Sequence, residues 1–262
     1  MPPKHLPIVL SIAGQDPSGG AGIQADIETI SALGCHPTTA VTCLTVQDSQ
    51  RVHELIEINP ELTQKQAETV LADYPVKAIK IGLIGSATMA TMLGELLKDH
   101  PGIPVVLDPV LAAGDGTELA GEKLIKEMIS QVIPRATLIT PNSIEARRLT
   151  GESELNSCAK ALQATNCISV LITGTHEESD QVTNTLFRTD HAPDSIKWPR
   201  LPESYHGSGC TIASAAAAYL ALGNPLQEAV SLAQEYTWKA LATGWHPGRG
   251  QHLPNRFHGY RT

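Results

Sequence analysis

The sequence predicts an α/β fold in one domain, with a mostly parallel central sheet and helices on both faces. Short apolar runs of strand length alternate with amphipathic segments of helical length, and neither a linker nor an internal repeat divides the 262 residues. Such alternation is typical of βα units, in which a helix connects neighbouring parallel strands. With 42% hydrophobic residues, a chain of this length can bury a core of full size.

Each element follows from its local pattern. Apolar runs predict strands at residues 8–13, 38–45, 78–81, 105–107, 137–140 and 170–173. Helical periodicity predicts helices at residues 62–72, 87–99, 120–131 and, rich in alanine, 212–222. A loop is expected at residues 188–205, which are rich in Pro and charge, and a loosely packed tail at residues 244–262, which lack periodicity. One domain, residues 1–262, is expected.

Composition narrows the classes of function. A net charge of -8 argues against nucleic acid as a partner, because surfaces that bind phosphate backbones usually carry a basic patch. We therefore expect a small-molecule partner. The five cysteines are odd in number and form no Cys-x-x-Cys pair, so a reducing compartment, the cytoplasm, is expected. The only early apolar stretch, residues 6–13, contains Pro7 and is too short for a membrane span or a signal-peptide core.

Polar and glycine-rich residues follow many of the predicted strands. In parallel sheets, ligands bind beyond the carboxyl ends of the strands, so these residues are candidates for a binding site. They are residues 14–22, Gln47, Gly82, Asp108, Asn142 and Gly174.

The segment Gly207-Ser208-Gly209 precedes the alanine-rich helix. Backbone N–H groups that converge at a helix N-terminus can hold an anion without lysines. Cys210 follows directly, and we expect the helix dipole to lower its pKa, so that its thiolate could accept a proton. The alternatives are an ordinary glycine-rich loop and a structural cysteine.

Asn142 and Glu145 lie about one helical turn apart after a predicted strand, and Asp108 follows another strand. Magnesium keeps several waters and needs one or two protein carboxylates beside nucleotide phosphates. Asp108 and Glu145 are therefore candidate Mg²⁺ ligands, in part through water. The alternative for Asn142 and Glu145 is a helix capping box.

An ordered series of motifs resembles the ribokinase-like superfamily, and within it the hydroxymethylpyrimidine/phosphomethylpyrimidine kinases of thiamine biosynthesis. The resemblance runs from about residue 8 to about residue 223, and its most specific part is residues 13–26. The other motifs are Thr45-Val46-Gln47, Lys80-Ile81-Gly82, Asp108-Pro109-Val110, Thr140-Pro141-Asn142 with Glu145, and residues 206–210.

The resemblance implies ATP and Mg²⁺ as cofactors, a homodimer, and a role for each matching residue. Asp26 and Gln47 would contact the aminopyrimidine, with Gly14, Gly82 and Val110 beside its ring. Asp108, Asn142, Glu145, Thr173 and Gly174 would lie on the nucleotide and magnesium side. Gly207, Ser208 and Gly209 would form the anion hole, and Cys210 would stand where most of the superfamily has an aspartate base.

Some positions depart from the family pattern. Thr173-Gly174-Thr175-His176 stands where Lys-Gly-Gly-His is common, Gly114-Asp115 replaces a Lys-Ser pair, and Leu83 replaces a methionine. These departures leave open the second phosphorylation, from monophosphate to diphosphate. They also leave open a pyridoxal or pyridoxine kinase on the same fold. A non-catalytic ligand-binding protein is a further alternative, because a fold does not fix a function.

Overall fold

The computed structural model describes residues 6–260, which form one nine-stranded sheet with eight α-helices. In chain order the elements are β1 (Ile8–Gln15), α1 (Gly22–Ala32), β2 (His36–Gln47), β3 (Val52–Glu57), α2 (Pro60–Asp73), β4 (Val76–Ile81), α3 (Ala87–Asp99), β5 (Val105–Leu107), α4 (Glu122–Glu127), β6 (Leu138–Ile139), α5 (Ser143–Thr150), α6 (Leu155–Gln163), β7 (Ser169–Ile172), β8 (Gln181–Arg188), β9 (Asp194–Pro199), α7 (Ser208–Ala221) and α8 (Leu226–Ala242).

The strands lie in the order β3-β2-β1-β4-β5-β6-β7-β8-β9. Every pair from β2 to β7 is parallel, whereas β3, β8 and β9 join by antiparallel pairing. All six predicted strands are present, and the predicted mostly parallel sheet is confirmed. The predicted loop at residues 188–205 is wrong in part, because β9 pairs with β8 there and completes the far edge of the sheet.

Two apolar cores lie on the two faces of the sheet. One core packs α2 to α6 against strand residues such as Leu10 and Ile79, and the other packs α1, α7 and α8 against Val9 and Ala78. Neighbouring residues of a strand point to opposite faces, which is why Leu10 and Val9 enter different cores. The carboxyl ends of six parallel strands therefore meet at one edge between two layers of helix.

Local sequence explains where the helices begin. Asn59 accepts a hydrogen bond from the N–H of Glu61 at the start of α2, and Ser86 caps α3 by accepting from the N–H of Met89. The helix predicted at residues 120–131 begins as α4 and continues as a π-helical turn over Met128–Val132. Side-chain oxygens at an N-cap satisfy N–H groups that would otherwise lack partners.

The C-terminal segment, predicted to be a loose tail, is in fact packed against the rest of the molecule. Leu253 and Arg256 are 7% and 2% exposed. Backbone bridges join His252 to Tyr205 and Leu253 to Trp245. The prediction relied on missing periodicity, but hydrogen bonds to other loops hold this segment without a helix or a long strand.

Within residues 6–260, none of the helices combines the length and the apolar character needed to cross a bilayer.

Candidate active site

The turn after β1 is held by one carboxylate. Asp16 accepts hydrogen bonds from the N–H and hydroxyl of Ser18 and from the N–H of Ala21, at 2.7 to 2.8 Å. Its Oδ2 also lies 2.8 Å from His206 Nε2. Burial raises the pKa of Asp16, but the hydrogen bonds from His206 and Ser18 outweigh it and leave the pKa below its usual value. The turn is thereby fixed to the segment that precedes α7.

The predicted anion hole lies at the start of α7. Gly207 adopts a left-handed conformation with φ +78°, and no side chain caps the helix. A methyl group at Gly207 would lie 1.9 Å from the carbonyl oxygen of Gly20. This position therefore requires glycine for two reasons, the left-handed backbone and the lack of space for a side chain. Among the described residues, the first-turn N–H groups of Ser208 and Gly209 have no acceptor. The turn can therefore offer these groups to an anion.

Gln47 and His206 lie together beside this turn. Gln47 Nε2 is 2.9 Å from His206 Nε2, and Gln47 Oε1 accepts a hydrogen bond from the hydroxyl of Thr45. Both side chains line a narrow cleft between the β2–β3 turn, the loop after β5 and the C-terminal segment, where Gln251 contributes. The predicted acceptor residue Gln47 thus faces a cleft.

Asp26, predicted to contact the acceptor, lies in the interior of the structure. It is fully buried, and its carboxylate accepts hydrogen bonds from the hydroxyls of Ser11 and Ser214, both at 2.6 Å. Lys80 Nζ lies 2.8 and 2.9 Å from its two oxygens. In this structure Asp26 is therefore enclosed by protein groups and binds Lys80. Contact between Asp26 and the acceptor stays a prediction.

Asp108 and Glu145 form a pair of buried carboxylates. Burial raises the pKa of Asp108 to about 6, despite the opposing charge of Lys80. Burial and the charge of Asp108 raise the pKa of Glu145 to about 8. Asp108 Oδ2 has no hydrogen-bond partner among the described residues. Two buried carboxylates with this deficit of positive charge fit a divalent cation, which would lower both pKa values.

Asn142 and Glu145 also form a helix capping box, the arrangement given above as the alternative to magnesium binding. Asn142 Oδ1 accepts from the N–H of Glu145, and Glu145 Oε2 accepts from the N–H of Asn142, both at 2.9 Å. Glu145 Oε1 accepts from the N–H of Leu111 at 3.3 Å. The cap therefore holds Glu145 near Asp108. Within residues 6–260, no group of three or more His, Cys, Asp or Glu side chains is arranged as a metal site.

The pKa of Cys210 was predicted incorrectly. Burial raises the pKa of its thiol to about 12; the charges of Asp108 and Asp26 add to this, and that of Lys80 opposes it. A hydrogen bond from the thiol lowers the pKa of Asp108. The helix dipole is too weak, by comparison, to create a thiolate at neutral pH. Cys210 is a neutral thiol beside Asp108.

The remaining predicted residues lie near the same edge. Gly14 is the last but one residue of β1, where a methyl group would lie 2.7 Å from Cys43 Sγ, and Gly82 leaves room for Lys80 Nζ. Val110 is half-buried two residues after Asp108. Thr173 bridges to Asn142, and the N–H of Gly174 donates to Asn184. These residues, selected because they follow predicted strands, therefore lie in one region of the structure.

Sequence reasoning missed three side chains that organise this region: Asp16, Lys80 and His206. All three lie inside quoted motifs, so a signal existed. A motif does not show which of its side chains faces the interior. For Lys80, the sequence gives no indication that its partner is Asp26.

The family model for phosphomethylpyrimidine kinase matches residues 16–255. The chain belongs to the phosphomethylpyrimidine kinase family. A hydroxymethylpyrimidine/phosphomethylpyrimidine kinase from Rhizobium meliloti is 35% identical over 265 residues, which cover 96% of this chain and 97% of that protein. Membership of the family makes the chain a kinase, and it confirms the resemblance read from the motifs.

Solved structures agree with the family. A phosphomethylpyrimidine kinase from Clostridium difficile has a TM-score of 0.79 at 32% identity, covering 90% of this chain and 99% of that one. The pyridoxal kinase of Staphylococcus aureus in complex with ADP has a TM-score of 0.90 at 29% identity, covering 98% and 96%. The ribokinase-like fold is thereby confirmed, and ATP is supported as the phosphoryl donor of this family.

Replacing Asp26 should destabilise the protein strongly. Asp26→Ala leaves Lys80 buried and unpaired, and loss of one partner of a buried ion pair costs about 3–5 kcal/mol. We expect the free energy of unfolding in urea to fall by about that amount. The double variant Asp26→Ala/Lys80→Met should recover most of the loss. A single variant as stable as the parent would contradict the buried pair.

Replacing Glu145 should change how stability depends on pH. Between about pH 5 and 8 the unfolded chain carries Glu145 ionised while the folded protein keeps it protonated, so unfolding releases a proton. The free energy of unfolding should therefore fall as pH rises through this window, by at most about 1.4 kcal/mol per pH unit from this group. Glu145→Gln should flatten the fall.

Denaturation series at pH 5, 6, 7 and 8 measure this effect. Glu228→Gln, on the exposed surface of α8, is the matched control and should keep the slope of the parent. Parallel slopes for Glu145→Gln and the parent would show that Glu145 is not protonated in the folded protein.

Proposed function

We propose that this kinase phosphorylates 4-amino-5-hydroxymethyl-2-methylpyrimidine with ATP and then phosphorylates the monophosphate to the diphosphate, in thiamine biosynthesis. The observation that carries the proposal is the uncapped start of α7 opposite the Asp108–Glu145 pair, in a chain of the phosphomethylpyrimidine kinase family. A methyl group at Gly209 would lie 3.6 and 3.7 Å from the oxygens of Asp108. The start of α7 therefore lies directly against the carboxylate of Asp108.

Phosphoryl transfer depends on positioning and charge stabilisation more than on covalent chemistry. The N–H groups of Ser208 and Gly209 would bind the transferred phosphoryl group, with Gly207 shaping the turn. Asn142, Thr173 and Gly174, at two neighbouring strand ends, are assigned to the nucleotide. Gln47, Gly14, Gly82 and Val110 are assigned to the acceptor.

Asp108 and Glu145 would hold Mg²⁺ in this proposal, in part through water, and the ion would supply charge neutralisation for the phosphates. Support comes from the raised pKa values of both groups and from the unpartnered Oδ2 of Asp108. Both carboxyl groups then ionise when the cation binds.

Cys210 is proposed as the proton acceptor for the alcohol. Burial and the charges of Asp108 and Asp26 raise the pKa of its thiol, and a cation at Asp108 and Glu145 would offset that negative charge and lower this pKa. The thiol would then release its proton to solvent, and the thiolate would accept the hydroxyl proton as the substrate O–H bond breaks and an S–H bond forms. A monophosphate acceptor needs no such step, because its second pKa is about 6.

Pyridoxal phosphorylation is the second candidate. The specific observation is structural: the Staphylococcus aureus pyridoxal kinase superposes over 98% of this chain. Both acceptors present a hydroxymethyl group on a six-membered heteroaromatic ring, so the anion hole and Cys210 would serve either.

Release of ADP by the purified protein with Mg·ATP tests the proposal. Hydroxymethylpyrimidine, its monophosphate and pyridoxal are offered separately. Turnover of both pyrimidines is expected. A higher kcat/KM for pyridoxal would favour the second candidate, and ligand binding without ADP release from any acceptor would favour a non-catalytic protein.

Replacing Cys210 should separate the two phosphorylations. Cys210→Ala should slow alcohol phosphorylation by about 10²-fold or more, the usual worth of a general base, while the monophosphate reaction changes far less. Cys158→Ala, a buried cysteine of α6, is the control. Equal losses with both acceptors would make Cys210 a structural residue of the anion hole.

A homodimer is proposed for the assembly. Support comes from three exposed apolar side chains on one face of the edge pair β2–β3: Leu44, Val46 and Ile56, between 39% and 49% exposed. A second copy could cover this face and protect the edge strand. A cytoplasmic location and the absence of a nucleic-acid partner stay predictions from cysteine usage and net charge.

Sedimentation velocity at micromolar concentration tests the dimer. We expect Ile56→Glu to shift the protein toward the monomer, because it places a charge in the covered face. Ile168→Glu, which changes an apolar side chain of similar exposure before β7, should leave the dimer intact. A monomeric parent would contradict the assembly.

A further inference from the structure

Arg256 connects three parts of the site from within the C-terminal segment. Its Nε donates to the hydroxyl of Thr211 in the first turn of α7 at 3.1 Å. Nη1 donates to Glu28 of α1 at 2.9 Å and to the carbonyl of Gly19 at 3.4 Å, and Nη2 donates to the carbonyl of Gly20. The residue is 2% exposed. Every nitrogen of the guanidinium is therefore engaged.

The bond to Gly20 matters for the electrostatics of the anion hole. A methyl group at Gly207 would lie 1.9 Å from the Gly20 oxygen and 2.9 Å from Arg256 Nη2. The negative end of a carbonyl dipole therefore lies against the turn that has to receive a phosphoryl group. Hydrogen bonding to a cation offsets that partial charge, so the Gly20 carbonyl repels an incoming anion less.

Direct phosphate binding is not the role of this arginine. Its charge is paired with Glu28, and its donors are directed at two carbonyls and a hydroxyl. Thr211 in turn donates to the carbonyl of Gly207 at 2.8 Å. Arg256 thus fixes the anion hole through Thr211 on one side and through the Gly19–Gly20 turn on the other.

We propose that Arg256 is a positioning residue for phosphoryl transfer, clamping the Gly19–Gly20 turn and the start of α7 at the separation that the anion hole requires. The inference rests on the proposed function in one respect: residues 207–209 receive the transferred phosphoryl group. Lysine keeps the positive charge but cannot form the same set of hydrogen bonds as the planar guanidinium. Arg256→Lys therefore removes the geometry of the clamp and leaves its charge in place.

Steady-state kinetics with the preferred acceptor test the clamp. Arg256→Lys should lower kcat by about tenfold to a hundredfold, the effect expected of a small misplacement. The KM of the acceptor should change by less than about threefold. Arg256→Ala should lose more activity, and millimolar guanidinium should restore part of it, whereas urea should not. Arg135→Lys is the control. Arg135 also donates to a backbone carbonyl, but it lies before β6, at the amino ends of the strands and away from the candidate site.

Binding measurements separate this inference from the proposed function. Arg256→Lys should weaken binding of Mg·ADP with aluminium fluoride, a mimic of the transferred phosphoryl, and leave binding of Mg·ADP alone unchanged. If Arg256→Ala does not fold, Glu28→Gln frees the guanidinium from its partner and should show a smaller loss of the same kind.

Two results would overturn the clamp: an unchanged kcat in folded Arg256→Lys, or an equal loss of affinity for both nucleotide complexes. Failure of the parent protein to bind Mg·ADP at all would instead contradict the proposed function.

Discussion

The ion pair between Lys80 and Asp26 joins the sheet to the helices that build the site. Lys80 comes from β4, Asp26 from α1, and the two hydroxyls that complete the carboxylate's hydrogen bonds come from β1 and α7. A buried charge is tolerated where partners satisfy it fully. Because each partner belongs to a different element, the pair sets the position of α1 and α7 relative to the strands.

Charge near this pair is unbalanced in a way that suits the chemistry. Lys80 is paired with Asp26, yet Asp108 and Glu145 add two more carboxyl groups in a dehydrated region, and their pKa values rise accordingly. A cation would complete the balance, and an anion hole made of backbone N–H groups would receive phosphate without a further lysine. The thiol of Cys210 lies beside these carboxyl groups, so the same cation would also lower its pKa.

Much of this could be predicted from the sequence, because strands and strand-end residues leave local signals. The six parallel strands have apolar runs, the strand-end rule selected Gln47, Asp108 and Asn142, and the glycines before the alanine-rich helix marked the 207–209 turn. Three features had no local signal. The depth of Asp26 depends on Lys80, 54 residues away; the pKa of Cys210 depends on neighbours contributed by other elements; and the packing of Arg256 depends on hydrogen bonds without periodicity.

The position of Arg256 along the chain has a consequence for biosynthesis. Synthesis proceeds from the N-terminus, and domains fold as they emerge. The Gly19–Gly20 turn, Glu28 and the start of α7 all precede residue 256 in the chain, and a domain folds as a unit. Truncation before residue 256 would therefore leave the Glu28 carboxylate, the two turn carbonyls and the Thr211 hydroxyl without the donor that joins them.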